Sequence, residues 1–402
     1  MHYAVPRILH RAGFLHSLYT DIHARSMGIQ WLRRVPDAFL PHAVQRLLDR
    51  TPGVPEKKIR SFPLMGIRYA LKVTRAMTAT EQTEAYLWGG TAFTERILAD
   101  DPSGPTGVYT FNSAGLELLR AAQARGWTAI MEQTIAPAEV EARLLREEYE
   151  AHPTWAASPE DNHRLEQYAD RERREWRHAD VILCGSKFVK QGIEECGGPG
   201  ERCVVVPYGV EMGNMAVEED SPVRSQPHTP IRVLTVGTVG LRKGSPYVLE
   251  AARRLGSEAR VRLVGSVDVQ PPAQQNLAEA TELTGRVPRS TVRDHYQWAD
   301  LFLLPSICEG SATVCYEALA NGLPVICTPN TGAIVRDGVE GFVVPIRSAE
   351  AIVEAVRHFV NTPETYRTMS ERAQRRAKEK GSLDAYAKRL TATVQEWAEG
   401  PS

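Results

Sequence analysis

The sequence predicts an α/β protein of two domains, each a parallel sheet flanked by helices. Three observations predict it. The chain has 402 residues, too many for one hydrophobic core and suited to two. From Gly107 onward, short apolar runs alternate with longer amphipathic stretches, the rhythm of strand–helix–strand units. The stretch Ala299–Thr331 reads as strand, polar turn, helix and strand. Its turn therefore lies at the carboxyl end of a strand, where open α/β sheets hold ligands.

Composition narrows the class. Hydrophobic residues make up 43% and charged residues 24%, ordinary for a globular chain. A formal net charge of −1 excludes an overall attraction to nucleic acid. No apolar run approaches the ~20 residues of a membrane span. The opening MHYAVPRILHRAG lacks an apolar core with a small-residue cleavage site, so no signal peptide is expected. The six cysteines (Cys184, Cys196, Cys203, Cys308, Cys315 and Cys327) form no Cys-x-x-Cys pair. That pattern favours a reducing cytoplasm over a disulfide framework or a zinc site.

Elements follow in chain order. Val5 to Arg11 reads as a helix and Leu18–Thr20 as a short strand, with His2, Tyr3 and Arg7 expected near the cleft between domains. Trp31 to Arg75 is basic, with Arg33, Arg46, Lys57, Arg68 and Lys72 among its cations and only Asp37, Asp49 and Glu56 against them. Two readings of this segment stand. It is either a patch that docks on anionic membrane or on a phosphate-bearing acceptor, or a set of helices with solvated basic faces, broken at Pro36, Pro41, Pro52 and Pro55.

Val108–Phe111 is a strand and Ala114–Arg125 a helix. Thr128–Met131 is the next strand, ending in Glu132-Gln133-Thr134. Val140–Tyr149 and Glu160–Arg177 are helices rich in Glu–Arg pairs at helical spacing. Asp180–Cys184 is a strand, Ser186 caps a helix to about Glu195, and Cys203–Pro207 is a strand before Tyr208-Gly209-Val210. Met212–Pro230 is polar and proline-containing, as a linker is.

The second domain opens with the strand Val233–Val236. The loop Gly237-Thr238-Val239-Gly240-Leu241-Arg242-Lys243-Gly244 then leads into a helix. A glycine-bearing strand-to-helix turn with adjacent cations suits a diphosphate, and its glycine spacing is not the dinucleotide fingerprint. Arg262–Val264 and Glu282–Gly285 are strands, and Tyr296 reads as helix core. Leu301–Leu304 is a buried strand, Thr313–Leu319 a helix closed by Asn321-Gly322, and Pro324–Cys327 a strand. Ala349–Phe359, Pro363–Lys380 and Leu383–Trp397 are helices, the last with Ala387, Leu390, Val394 and Trp397 on one side.

Chemistry concentrates around the turn at Glu309. Glu309 and Glu317 stand with seven residues between them. The helix between them points its free N–H groups and positive dipole end back at the turn. An anion on the amides of Thr313 and Val314 would be stabilised there. One acid beside a sugar and one beside a ribose would then each accept hydroxyl hydrogen bonds, which suits a sugar nucleotide.

These residues carry a family resemblance. EGSATVCYE followed by ALANGLPVI resembles the signature of glycosyltransferase family 4, retaining enzymes of the GT-B fold. The parts are Pro-Ser after a strand, Glu-Gly, a second Glu, a small-residue helix and Gly-x-Pro-Val-Ile. The resemblance covers the C-terminal half well and the N-terminal half in outline. It implies two Rossmann-like domains facing across a cleft: an acceptor domain over residues 1–227, a donor domain over 228–382, and a helix over 383–402 crossing back, with Trp397 as a buried anchor. It implies metal-independent transfer of a sugar from a nucleoside-diphosphate sugar to a glycan, lipid-linked or small-molecule acceptor, with no cofactor besides the donor.

Residue by residue, the resemblance assigns Glu309 to the sugar, with Gly310, Ser311 and Ala312 alongside, and Glu317 to the ribose. Lys243 falls on the family's loop lysine and faces the diphosphate with Gly237, Thr313 and Val314. Thr238 stands where an arginine is usual, and Arg242 is the candidate to supply that charge. Arg286 and Val287 fall beside the base. At the end of the Thr128–Met131 strand the family carries a polar residue facing the donor sugar, often a histidine. Here Glu132 or Gln133 occupies that place, either as sugar or acceptor contact or as a strand end exposed to water. A sugar-nucleotide hydrolase, epimerase or phosphorylase of the same fold, and a non-catalytic binding module, are the rival readings. The cysteine pattern places the protein in the cytoplasm, at the inner membrane face if the basic segment binds lipid.

Overall fold

The computed structural model describes residues 3–24, 34–35, 47–48, 50–101, 103–156, 162–212 and 226–399. His2, the stretch 25–33 with Trp31, residues 36–46, Asp49 and the linker stretch 213–225 lie outside the described residues.

In chain order the strands are β1 (Leu18–Thr20), β2 (Ile59–Ser61), β3 (Gly107–Phe111), β4 (Thr128–Gln133), β5 (Val181–Cys184), β6 (Cys203–Val205), β7 (Ile231–Val236), β8 (Ala259–Val264), β9 (Glu282–Gly285), β10 (Leu301–Leu304), β11 (Val325–Cys327) and β12 (Gly341–Val343). The helices of the first half are α1 (Ala4–Arg11), α2 (Pro63–Arg75), α3 (Ala79–Ala99), α4 (Leu116–Ala124), α5 (Ala138–Ala151), α6 (Leu165–His178) and α7 (Lys187–Glu195). Those of the second half are α8 (Ser245–Leu255), α9 (Pro271–Ala280), α10 (Val292–Trp298), α11 (Thr313–Ala320), α12 (Ala349–Asn361), α13 (Pro363–Arg376) and α14 (Leu383–Glu399).

The chain divides into two compact units. One comprises Met1–Glu132, Glu160–Ile182 and Ala387–Ser402; the other comprises Gln133–Pro159 and Leu183–Tyr386. A four-stranded sheet has the order β3-β4-β5-β6, and the division passes through β4 and β5.

In the first unit β1 pairs in parallel with β2, Leu18 opposite Ile59, apart from the four-stranded sheet. The short strand foreseen at Leu18 is therefore real but lies in a ribbon of its own. Sequence chemistry sets the local ends: Thr78 and Glu81 form a capping box at the start of α3, with N–H to oxygen distances of 3.1 and 3.2 Å. α4 begins at Gly115 with no side chain of its own as cap. The buried Glu175 of α6 supplies one instead, accepting from the N–H groups of Ser113, Gly115 and Leu116 at 2.7, 2.9 and 3.1 Å. Arg171, one turn before it, donates to Glu117 at 2.7 Å. Tyr3 meets Thr20 through their hydroxyls at 2.8 Å, and the stem of Arg7 lies against Gly53.

In the second unit six parallel strands have the order β12-β11-β10-β7-β8-β9. Every residue of β10 is buried, as a central strand covered on both faces requires. One core layer joins Val233, Leu263, Leu303 and Ile326 to α8 and α12. The other joins Leu234, Phe302 and Leu304 to α11. Ala318 and Ala320 keep α11 slim enough to lie close on the sheet. Asn321 and Gly322 close it, with the Leu323 N–H returning to the Ala318 carbonyl at 3.0 Å.

Two expectations change. Glu132 and Gln133 are not a wet strand end: β4 runs through both, and both are buried. Trp397 is half-buried rather than a sealed anchor, and Leu390 and Val394 hold the apolar face of α14. An indole near the last turn of a helix keeps an edge in water more readily than a leucine in its middle. All six cysteines are free.

Candidate active site

The site is built where β7 and β10 end. After β7, residues 237–239 zip onto 266–268, with Val239 N–H on the Ser266 carbonyl at 2.8 Å and the hydroxyls of Thr238 and Ser266 3.1 Å apart. A short turn, Leu241–Lys243, follows, and Gly244 takes φ +70°. A Cβ at Gly244 would stand 2.1 Å from the carbonyl oxygen of Pro305, so only glycine lets the turn lie against the end of β10. The Ile307 N–H then donates to the Arg242 carbonyl at 2.9 Å, locking the two loops together.

That lock aims both cations at Glu309. Lys243 Nζ lies 2.5 Å and Arg242 Nη1 2.9 Å from the same oxygen, Oε1. Lys243 and Glu309 are both buried. The sequence reading gave Glu309 to a sugar, and the structure also makes it the counter-ion of both cations. The reason is electrostatic: a buried lysine needs an anion, and this carboxylate is at hand. Gly237 lies under the Lys243 stem, with a hypothetical Cβ 3.2 Å from Cε.

Gly310 is pressed against the chain just after β4. A Cβ there would stand 1.9 Å from the Thr134 carbonyl oxygen. The Ser311 hydroxyl turns inward to Tyr316 Oη at 2.6 Å, and the Ala312 N–H donates to the Thr331 carbonyl at 3.2 Å. α11 then starts with no side-chain cap. No acceptor for the N–H of Thr313 or Val314 is found among the described residues. Cys315, in the first turn, has its thiol held well above its ordinary range, first by burial. Cys327, Glu309 and Glu317 push it further up, and Lys243 pulls it down. Lysine and both acids thus converge on this turn.

Glu317, on the next turn, is held by Tyr296, whose hydroxyl donates to Oε2 at 2.9 Å. Burial raises the Glu317 carboxyl; the Tyr296 hydrogen bond and the charge of Arg289 act against that. Tyr296 is core, as its sequence context indicated, but its hydroxyl also sets the acid. Val287 packs on the core beside it and Arg286 is exposed after β9. Glu132 accepts from the Tyr109 hydroxyl within the first unit.

Sequence reasoning missed Glu141. It lies on α5, beside Arg242 and Glu309, and no hydrogen bond to its carboxylate is found among the described residues. Burial raises its carboxyl, Arg242 lowers it and Glu309 raises it. α5 is pinned by Glu148, which is fully buried and accepts from Tyr247 Oη at 3.0 Å and Arg347 Nε at 2.5 Å. Arg347 also reaches Glu147 at 2.8 Å. The signal was periodic: Val140, Leu144 and Glu148 are buried on one face, and Glu141 stands two turns before Glu148 on that face.

Residues 216–376 match the family model described as glycosyl transferases group 1. The chain is 28% identical over 211 residues to the putative colanic acid biosynthesis glycosyltransferase WcaL of Escherichia coli strain K12, covering 48% of this chain and 51% of WcaL. It spans about half the length of the curated relatives it matches. Sucrose-phosphate synthase from Thermosynechococcus elongatus aligns with a TM-score of 0.62 at 18% identity, over 86% of each chain. HepE of Anabaena in complex with UDP aligns with a TM-score of 0.59 at 14% identity, over 94% of this chain and 99% of HepE. At such identities the likeness shows the fold, and it is the GT-B fold that the resemblance implied.

Proposed function

We propose that this chain, whose residues 216–376 match the group 1 glycosyltransferase family model, is a glycosyltransferase that transfers a sugar from a nucleoside-diphosphate sugar to a hydroxyl acceptor with retention. One observation carries the reading: Lys243 and Arg242 meet on Glu309, just ahead of a helix start whose first N–H groups have no partner among the described residues. Two cations and two free N–H groups around one turn suit a diphosphate. HepE, which shares the fold, is described in complex with UDP, and this supports the same class of donor.

On binding, Lys243 and Arg242 exchange Glu309 for phosphate oxygens. Glu309, freed from both, accepts from the sugar hydroxyls beside the backbone of Gly310, Ser311 and Ala312. Glu317, fixed by Tyr296, accepts from the ribose, and Arg286 and Val287 flank the base. As the bond to the anomeric carbon breaks, charge grows on the leaving diphosphate, and Lys243, Arg242 and the Thr313 and Val314 amides stabilise it most at that moment. Besides donor and acceptor this reading calls on no cofactor. The acceptor is a sugar or a lipid-linked glycan, in the manner of polysaccharide biosynthesis, which suits a protein of the cytoplasm.

A thermal-shift panel of UDP-, GDP- and ADP-sugars tests the donor, since ligand bound to the folded state raises the melting temperature by mass action. One of the three should raise it. Nucleotide release with and without added acceptor then separates transfer from hydrolysis. The reading falls if no donor shifts the melt, or if Lys243→Ala and Glu309→Ala both keep near wild-type release.

A further inference from the structure

Arg242 has two carboxylates beside it and donates to only one. Its Nη1 reaches Glu309 Oε1 at 2.9 Å and, more weakly, the Cys308 carbonyl at 3.4 Å. No acceptor for its Nε or Nη2 is found among the described residues. A guanidinium carries five N–H groups in a rigid fork, so most of this one is unused. The second carboxylate is Glu141. The charges of Arg242 and Glu309 both act on it, and all three act on the buried thiol of Cys308.

Glu141 is also held in place. α5 packs against the turn Leu241–Lys243. Beyond the Glu148 anchor, the His152 ring meets Tyr247 Oη at 3.2 Å, and the Trp155 carbonyl accepts from the Gln270 N–H at 2.8 Å. Gln133–Pro159 accordingly falls in the same compact unit as Arg242 and Glu309. A group that orients another must itself sit on a fixed element, and this helix is one.

Charge alone gives an acid no reason to stand here. In the donor reading, phosphate oxygens approach Lys243 and Arg242, and negative charge grows on them as the bond breaks. A bare third carboxylate beside that charge opposes both binding and reaction. It helps only through a cation. When Glu309 turns to the sugar, Lys243 stays confined, because it is buried with its stem over Gly237. Arg242 is half-buried and loses the contact that fixes the plane of its fork.

We infer that Glu141 is the positioning residue of Arg242: once Glu309 leaves, the Glu141 carboxylate accepts from Nε–H and Nη2–H and holds the fork with Nη1 toward the diphosphate. Such a two-point contact fixes orientation as well as charge. Glu141 itself touches neither phosphate nor sugar. This inference rests on the donor reading and adds how the less confined of its two cations is aimed.

The test is steady-state nucleotide release from the UDP-, GDP- or ADP-sugar that raises the melting temperature. It compares wild type, Glu141→Gln, Glu141→Ala, Arg242→Ala and Glu141→Gln/Arg242→Ala. Glu141→Gln should lower kcat a fewfold with KM little changed, because the contact acts as charge develops. Glu141→Ala, which leaves no acceptor, should lower kcat by about tenfold. With Arg242→Ala already present, Glu141→Gln should cost nothing further and should raise release slightly, since only repulsion is then removed. The opposite sign overturns the inference: if Glu141→Gln alone speeds release or lowers KM, the acid is a bare charge. An equal loss with Arg242 present or absent, as lost packing would give, overturns it too. Either result leaves the donor reading standing, because Lys243→Ala tests that separately. If none of the three sugars raises the melt, both fall.

Discussion

Two of the helices that start without a side-chain cap of their own, α4 and α11, resolve the problem in opposite ways. At α4 the N–H groups of Gly115 and Leu116, with that of Ser113, are taken by the buried carboxylate of Glu175. At α11 the protein also has an acid nearby, but Glu309 is turned to Lys243 and Arg242, and the N–H groups of Thr313 and Val314 find no acceptor among the described residues. One start is closed by the fold. The other combines the same unsatisfied donors with two cations sharing a single carboxylate oxygen, an arrangement that an incoming dianion can complete. The difference teaches where to look for a ligand: at the helix start the protein declines to finish.

The comparison can be broken first at α4. Glu175→Ala should cost about 3–5 kcal/mol, because it strands buried N–H groups and leaves Arg171 with less compensation. Thermal melts would register it, and a loss under 1 kcal/mol would show that the closure is ornamental. Burial raises the Glu175 carboxyl from 4.5 to about 7, with its N–H donors and Arg171 only partly opposing that. The folded chain then binds this proton more tightly than the unfolded chain. The stability it confers is present in acid and is lost as pH rises toward about 7. Glu175→Gln should flatten the melting temperature over that window.

At α11 the same kind of change should spare the fold and remove function. If Lys243 holds the leaving diphosphate as proposed, Lys243→Ala deletes a charge-assisted contact worth about 1.5–3 kcal/mol, so turnover should fall roughly tenfold to a few hundredfold in nucleotide-release assays. Gly310→Ala pushes a methyl toward the Thr134 carbonyl, 1.9 Å away. A cost of about 1–3 kcal/mol in stability is expected, with displacement of Glu309. Tyr296→Phe should leave the melt within about 1 kcal/mol and weaken binding of UDP more than of 2′-deoxy-UDP, since the ribose acid loses its support. Equal discrimination in wild type and variant would remove Tyr296 from the site. Glu141→Gln is the mildest change, about a fewfold in turnover, with a shift in its pH profile as the signature of a charge near Arg242.

Much of this was legible because it is local in the chain. Leu301–Leu304, the Glu309–Glu317 spacing, the Asn321-Gly322 stop and the Lys243-Gly244 turn each carry their meaning within a few residues. The Rossmann-like rhythm did the same for the fold. Glu141 was hidden because its partners Arg242 and Glu309 are distant in sequence, and a glutamate among Glu–Arg pairs looks like any solvated helix face. Tyr296 was half-read: burial follows from periodicity, but the destination of a hydroxyl does not. The cations of Trp31–Arg75 looked alike until Asp21 and the Leu15 carbonyl claimed two of them.

The sequence by itself determined the alternation of strands and helices, the two acids astride one short helix, and the cation-bearing turn, because periodicity and spacing act within an element. Only the tertiary structure decided which charges meet. It placed Lys243 and Arg242 on one oxygen of Glu309, set Glu141 beside them and left the α2 leucines uncovered. Those outcomes depend on which surfaces the folded chain brings together, and an isolated element does not contain that information.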